Sequence, residues 1–271
     1  MQRTIKSEVG YEGVGLHSGK LVSLKMRPGK IDSGITFIRT DMAGEPKIRA
    51  RASNVTATMR ATTLEENGAK VFTIEHMMSA LAGLKIDNCE ILLNSEEPPV
   101  ADGSSRVFCD LIKKAGILEE NAPERSIKID KVYRVDEKGK FIIVLPYDGF
   151  RVSFTSVNPH PLIGVQYEDF EITEETYEKE IAGARTIAYE KEVAALKEMG
   201  LGLGGTLENV IVYNDDGWLN SLRYKDELVR HKILDVIGDL KLAGNVKGHI
   251  IAAASGHALN TKLAKILEEN C

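Results

Sequence analysis

Cysteine is scarce in this chain: Cys89, Cys109 and Cys271 are the only three among 271 residues. An odd number with no C-x-x-C spacing argues against both a disulfide framework and a thiolate zinc site, and it suits a reducing compartment. A basic surplus is missing as well. With a formal net charge of −5 and a pI near 5.8, nucleic acid is not expected as a partner. No stretch approaches the roughly 18 consecutive apolar residues of a membrane span. The opening Met1-Gln2-Arg3-Thr4-Ile5-Lys6-Ser7 has no apolar run of the signal-peptide kind. A cytoplasmic protein is the expectation, with peripheral contact at a membrane surface left open. What is present is a globular composition: 43% apolar residues over this length suffice for one large domain or two ordinary ones.

Periodicity divides the chain into two batches of strands and helices. In the first, strands are predicted at 35–38 and 89–93 and helices at 74–84 and 105–115, with a turn-rich loop over 96–104 between them. The polar stretch 119–125 reads as a linker. Strands then resume at 127–135, 141–145 and 151–157, followed by helices at 187–199, 226–242 and 257–269. One echo joins the halves: His76 leads a helix ending Leu81-Ala82-Gly83, and His231 leads one ending Leu242-Ala243-Gly244. Elements that do not strictly alternate favour an α+β layered architecture over a doubly wound sheet.

Three segments carry chemistry. On the 226–242 helix, His231, Asp235 and Asp239 stand at i, i+4 and i+8 and project from one side. An imidazole with a carboxylate one turn later supplies two donors to a divalent ion such as zinc. Val229, Ile233, Val236, Ile237 and Leu240 form an apolar stripe roughly opposite, so a plain amphipathic surface helix would show the same pattern. In Thr73-Ile74-Glu75-His76, adjacent helical residues point about 100° apart, which suits His76 as a third ligand and Glu75 as the carboxylate taking a proton from an activated water. Helix capping behind Thr73 is the other reading of that segment. His257, between Gly256 and an apolar run, could protonate a leaving amine, with Asp239 holding its tautomer; a structural histidine near a helix start is the alternative.

Gly200-Leu201-Gly202-Leu203-Gly204-Gly205 formally satisfies G-x-G-x-x-G. The dinucleotide fingerprint requires a strand before and a helix after, and here the order is reversed, so no nicotinamide or flavin site is expected. A loop that lets an extended ligand lie close to backbone, or a simple helix-to-strand turn, remains.

Taken with Gly13-Val14-Gly15-Leu16-His17-Ser18-Gly19, Ala101-Asp102-Gly103-Ser104, Ala184-Arg185-Thr186 and Ser255 to Asn260, these segments make seven ordered blocks. From about Val9 to Leu267 the chain closely resembles the UDP-3-O-acyl-N-acetylglucosamine deacetylases. The resemblance implies two similar two-layer sheet-on-helix domains, residues 1–122 and 126–271, with the active site between them and an acyl-passage insert in the second. It implies zinc (Zn2+) held by His76, His231 and Asp235; Glu75 as general base; His257 as proton donor; Asp239 orienting it; and Thr186 and Lys232 at the substrate or its tetrahedral adduct. Leu64, Ile187 and Gly202 join them as implied substrate contacts. The implied reaction is release of acetate from a UDP-linked, acylated N-acetylglucosamine, the committed step of lipid A synthesis. Ile187 stands where relatives often carry Phe, and Glu190 where they are often apolar, so acyl-chain length is left open. A monomer is expected, and a chain ending at Cys271 is expected to lack the dehydratase domain of some relatives. A metal-dependent peptidase or amidase acting on another substrate, and a noncatalytic lipid or nucleotide-sugar binding module, are the competing classes; UDP competition and an acetate assay separate them.

Overall fold

The computed structural model describes residues 1–270, so Cys271 lies outside the described residues, while Cys89 and Cys109 are buried free thiols. The chain runs through β1 (Arg3–Ile5), β2 (Val9–Val14), β3 (Leu21–Pro28), β4 (Ile35–Arg39), β5 (Lys47–Arg49), β6 (Val55–Ala57), β7 (Thr63–Glu66), β8 (Ala69–Phe72), α1 (Glu75–Gly83), β9 (Cys89–Leu93), α2 (Arg106–Ala115) and β10 (Ile117–Glu119). It continues with β11 (Ser126–Lys128), β12 (Tyr133–Glu137), β13 (Lys140–Leu145), β14 (Phe150–Val157), β15 (Val165–Glu171), α3 (Glu174–Thr176, passing into a wider turn at Tyr177–Ile181), β16 (Ile187–Tyr189), α4 (Glu190–Glu198), β17 (Ile211–Tyr213), α5 (Glu227–Leu240), β18 (Asn245–Ala253) and α6 (His257–Asn270). Mixed helices and layered sheets make this an α+β fold.

The two halves repeat one topology. The first sheet has the order β2-β3-β9-β4-β5 and the second β12-β13-β18-β14-β15. In each, the last strand slides between the second and third, antiparallel to one and parallel to the other. Each of these central strands alternates buried and half-buried residues, the period-2 pattern of a strand with one face on the core. Each is preceded by a helix, α1 or α5, and an insert lies ahead of that helix: the small sheet β6-β7-β8 in the first unit, and residues 173–226 in the second. The echo between His76 and His231 is therefore positional, since both occupy the helix that leads into the central strand. The helices pack between the sheets, with α1 against α5 and α2, and α5 against α6 and β14. One continuous core joins both units.

Two predicted elements differ from what forms. The strand expected over 127–135 is two: β11 lies parallel to the start of β18, and β12 sits at the sheet edge. The helix expected from Ile187 begins only at Glu190, because Ile187, Ala188 and Tyr189 pair in parallel with Ile211, Val212 and Tyr213. These β-prone residues pack on both faces of that two-stranded ribbon, one face toward Leu16 and Val100 and the other toward Ile163 and Leu228. The stretch 119–125 is tied to the chain start: Glu119 pairs with Arg3, and Gln2 N–H donates to Ala122 O.

Candidate metal and acid–base site

The site begins where α1 and α5 touch backbone to backbone. A Cβ on Gly238 would sit 2.1 Å from Glu75 O and 3.1 Å from Ser79 N, so only glycine permits this approach. The first turn of α1 is thereby laid against the last turn of α5, near its C-terminal end. The His231–Asp235–Asp239 row faces α1 rather than water, and all three side chains are buried. The amphipathic surface-helix reading is set aside by this burial: a helix between two sheets is covered on both sides, and its polar row is buried too.

His76 and His231 meet edge to face, with ring centroids 5.0 Å apart and planes at 80°. His231 Nε2 lies 3.5 Å from Asp235 Oδ1, and the candidate ligand atoms of His76, His231 and Asp235 all fall within 4.8 Å of one another. Second contacts orient them. His231 Nδ1 donates to Ala184 O at 3.1 Å; a carbonyl only accepts, so Nε2 keeps its lone pair. Asp235 Oδ2 accepts from Lys232 Nζ at 2.9 Å, while Asp235 Oδ1 is buried with no hydrogen-bond partner. An orphaned carboxylate oxygen is costly in a protein interior, and a cation among these three residues would satisfy it. Burial, reinforced by the neighbouring imidazole of His231, lowers His76 to about 3; burial likewise lowers His231. Burial would raise Asp235, but Lys232 and His231 hold it well below the usual carboxylate range. Two neutral imidazoles and one ionised carboxylate form a donor set suited to zinc.

Beside this set lies a ring of acid–base groups. Glu75 Oε1 is 3.8 Å from His257 Nε2, too long for a direct hydrogen bond. His257 Nδ1 donates to Asp239 Oδ2 at 2.9 Å, as does Asn260 Nδ2 at 2.9 Å, and Asn260 Oδ1 is held by Ser255 Oγ at 2.6 Å. Thr62 closes the ring, its N–H donating to Glu75 Oε2 at 3.1 Å and its hydroxyl to Asp239 Oδ1 at 2.6 Å. Burial lifts Glu75 to about 7, with Asp239 and Asp235 adding to it against the pull of His257. Burial would lower His257, but Asp239 and Glu75 raise it to about 10. Between those values Glu75 is ionised and His257 protonated, the states a base and an acid require. The capping reading of the Glu75 segment is not what forms: α1 has no side-chain cap, and the Thr73 hydroxyl donates instead to Glu97.

The rim is built by the two inserts and the Gly13–Gly19 hairpin. Glu97, fully buried, accepts from the N–H groups of His17 and Ser18 and from Thr73 Oγ1, binding the hairpin to the start of α1. The glycine loop docks on the same hairpin. Gly202, with φ +67°, donates its N–H to His17 Nδ1, and a Cβ on Gly204 would lie 2.1 Å from Gly15 O. The backbone that this loop approaches so closely is the chain's own. Arg185 and Glu227 form a buried ion pair at 2.9 Å that anchors the segment carrying Ala184, the carbonyl partner of His231. Thr186 follows directly, its N–H on Gly103 O and its carbonyl taking Ile211 N–H. Lys232 reaches the site through Asp235. Ile187 packs half-buried against the Ile163, Tyr213 and Leu228 cluster. Leu64 is the correction: it is fully buried in the main core and its side chain offers no surface to a ligand, because β7 turns that residue inward between Val55 and Val71. Thr62 lies outside all seven blocks and carries no sequence signal, while Glu97 and the Arg185–Glu227 pair carry none beyond lying in or near them.

Residues 2–269 match the family model for UDP-3-O-acyl N-acetylglycosamine deacetylase. The chain is 43% identical to the UDP-3-O-acyl-N-acetylglucosamine deacetylase of Hahella chejuensis, covering 98% of this chain and 90% of that protein. It is 44% identical to the protein of the same name from Oleidesulfovibrio alaskensis, over 99% of this chain and 89% of the relative. That from Marinobacter nauticus is also 44% identical, over 98% and 89%.

Proposed function

Because the chain belongs to the UDP-3-O-acyl-N-acetylglucosamine deacetylase family, the lipid A biosynthesis deacetylases, we propose that it releases acetate from its UDP-sugar substrate as a zinc-dependent amide hydrolase. His76, His231 and Asp235 hold the ion. When bound, zinc lowers the pKa of a water and polarises the amide carbonyl.

The chain's own groups do the rest. Glu75 takes a proton from the attacking water as its oxygen bonds to the acetyl carbon. The roles of stabilising the charge that develops on the carbonyl oxygen fall to Lys232, which bonds to Asp235, and to Thr186, two residues past the Ala184 carbonyl that holds His231. As the C–N bond breaks, His257 gives its Nε2 proton to the departing amine, while Asp239 keeps Nδ1 protonated and the ring aligned. Glu75 Oε1 and His257 Nε2 lie 3.8 Å apart, close enough for the base and the acid to serve one reacting group. Water is consumed, and a free amine and acetate are produced.

The observation carrying this reading is the convergence of His76, His231 and Asp235 within 4.8 Å beside that acid–base pair. Two free, buried thiols support a reducing, cytoplasmic setting. Among the described residues no helix is long and apolar enough to cross a membrane. The test is incubation with UDP-3-O-acyl-N-acetylglucosamine, following acetate and free amine together. Equal release of both, competed by UDP, is expected; release from a simple acetylated peptide but not from the UDP-sugar would replace this reading with an amidase acting on another substrate.

A further inference from the structure

Asp239 Oδ2 is shared by two donors, His257 Nδ1 and Asn260 Nδ2, but its other oxygen has one, the hydroxyl of Thr62. Thr62 is fully buried. Its neighbour in sequence, Thr63, opens β7, so it enters the site from the first unit's insert, 177 residues away from Asp239. The same residue's backbone N–H holds Glu75 Oε2. One residue thus grips both carboxylates that face His257, one through its backbone and the other through its side chain.

We propose that Thr62 is a positioning residue for the deacetylation, its hydroxyl locking the Asp239 carboxylate so that the His257 ring is held in line with the departing amine. The proposal rests on the hydrolase reading above. A carboxylate's terminal torsion is broad and two-fold, so donors on Oδ2 alone leave the group free to swing about that oxygen. A bond to Oδ1 removes that freedom. Because the imidazole takes its orientation from the carboxylate, the swing would pass to His257, where small misplacements of a reacting group are expensive in rate. The backbone bond to Glu75 is independent of the side chain, so Thr62→Val removes only the hydroxyl at nearly constant shape.

Kinetics of the zinc-loaded protein test this. Losing a group that orients a catalytic neighbour typically costs 10- to 100-fold. Thr62→Val is expected to lower kcat at least about 10-fold with KM within about twofold and zinc content unchanged, while Thr62→Ser recovers kcat to within about threefold. In an Asp239→Ala background, Thr62→Val should cost less than about twofold more, because its target is gone. If Thr62→Val does not fold, Thr62→Cys, similar in size with a weak S–H donor, should fall below wild type in kcat. Wild-type kcat in the valine variant, or in the cysteine variant if that one is used, would overturn the proposal. So would equal losses in the valine and serine variants, or a full loss in the Asp239→Ala background. Failure of the wild-type protein to release acetate in the same assay would instead sink the hydrolase reading.

Discussion

Replacing Glu75 by glutamine separates the cost of burying this carboxyl from its use. Gln has nearly the same shape and keeps an oxygen for the Thr62 N–H, but it cannot accept a proton from water. The expected loss in kcat/KM is on the order of 10² to 10⁴, about 3 to 5 kcal/mol of transition-state stabilisation, with zinc retained. Stability should move the other way. In the metal-free protein the buried carboxyl titrates at about 7 instead of 4.5. The folded state therefore keeps its proton in a range where the unfolded chain has released it. That contribution to stability is fully present below about pH 4.5 and is lost as the pH rises through about 7, a difference of about 3 kcal/mol. Gln does not titrate and escapes the loss. Urea unfolding of chelator-treated wild type and Glu75→Gln should give similar stabilities near pH 4 and a variant more stable by up to about 3 kcal/mol near pH 8. A variant that keeps more than a tenth of wild-type activity, or one that loses zinc, would refute Glu75 as the base. Equal stabilities near pH 8 would refute its burial as a costly ion.

His257→Ala should lose on the order of 10² or more in kcat with zinc still bound; metal loss would make His257 a ligand instead. His231→Ala should lower zinc content measured by elemental analysis, and full retention would remove it from the coordination set. The pH profile of kcat/KM should be bell-shaped, rising as Glu75 ionises at or below about 7 and falling as His257 deprotonates near 10. A bound cation moves the rising limb down, and a level profile from about pH 5 to about pH 11 contradicts the paired roles. Gly238→Ala must push α1 from α5, since its Cβ would fall 2.1 Å from Glu75 O. A loss of about 1 to 3 kcal/mol in unfolding free energy is expected, and a neutral result would show that the helices yield.

What is legible in the sequence is what lies close along it. His231, Asp235 and Asp239 share one helix, so their common face follows from helical geometry, and the α+β class follows from the order of elements. That α1 presses on α5 depends on Gly238 meeting a carbonyl of another helix, and no spacing within either segment encodes it. The amphipathic alternative for α5 failed for a related reason: periodicity separates polar from apolar faces but does not say that a second helix covers the polar one. Thr62 and Glu97 were invisible because each is a single polar residue whose partners lie far along the chain, 177 residues away for the Thr62 hydroxyl and 80 for the Glu97 contact with His17. Ile187 misled because an apolar residue ahead of a helix-forming run reads as its first turn, whereas a parallel partner at Ile211 draws it into a ribbon.

The central claim is that His76, His231 and Asp235 hold one catalytic zinc. Stripping the wild-type protein with a chelator, adding zinc back stepwise and following acetate release tests it most directly. Activity is expected to vanish on stripping and to return in proportion to zinc up to about one equivalent, with the His231→Ala protein failing to recover. Undiminished acetate release from protein shown by elemental analysis to be free of metal would contradict it.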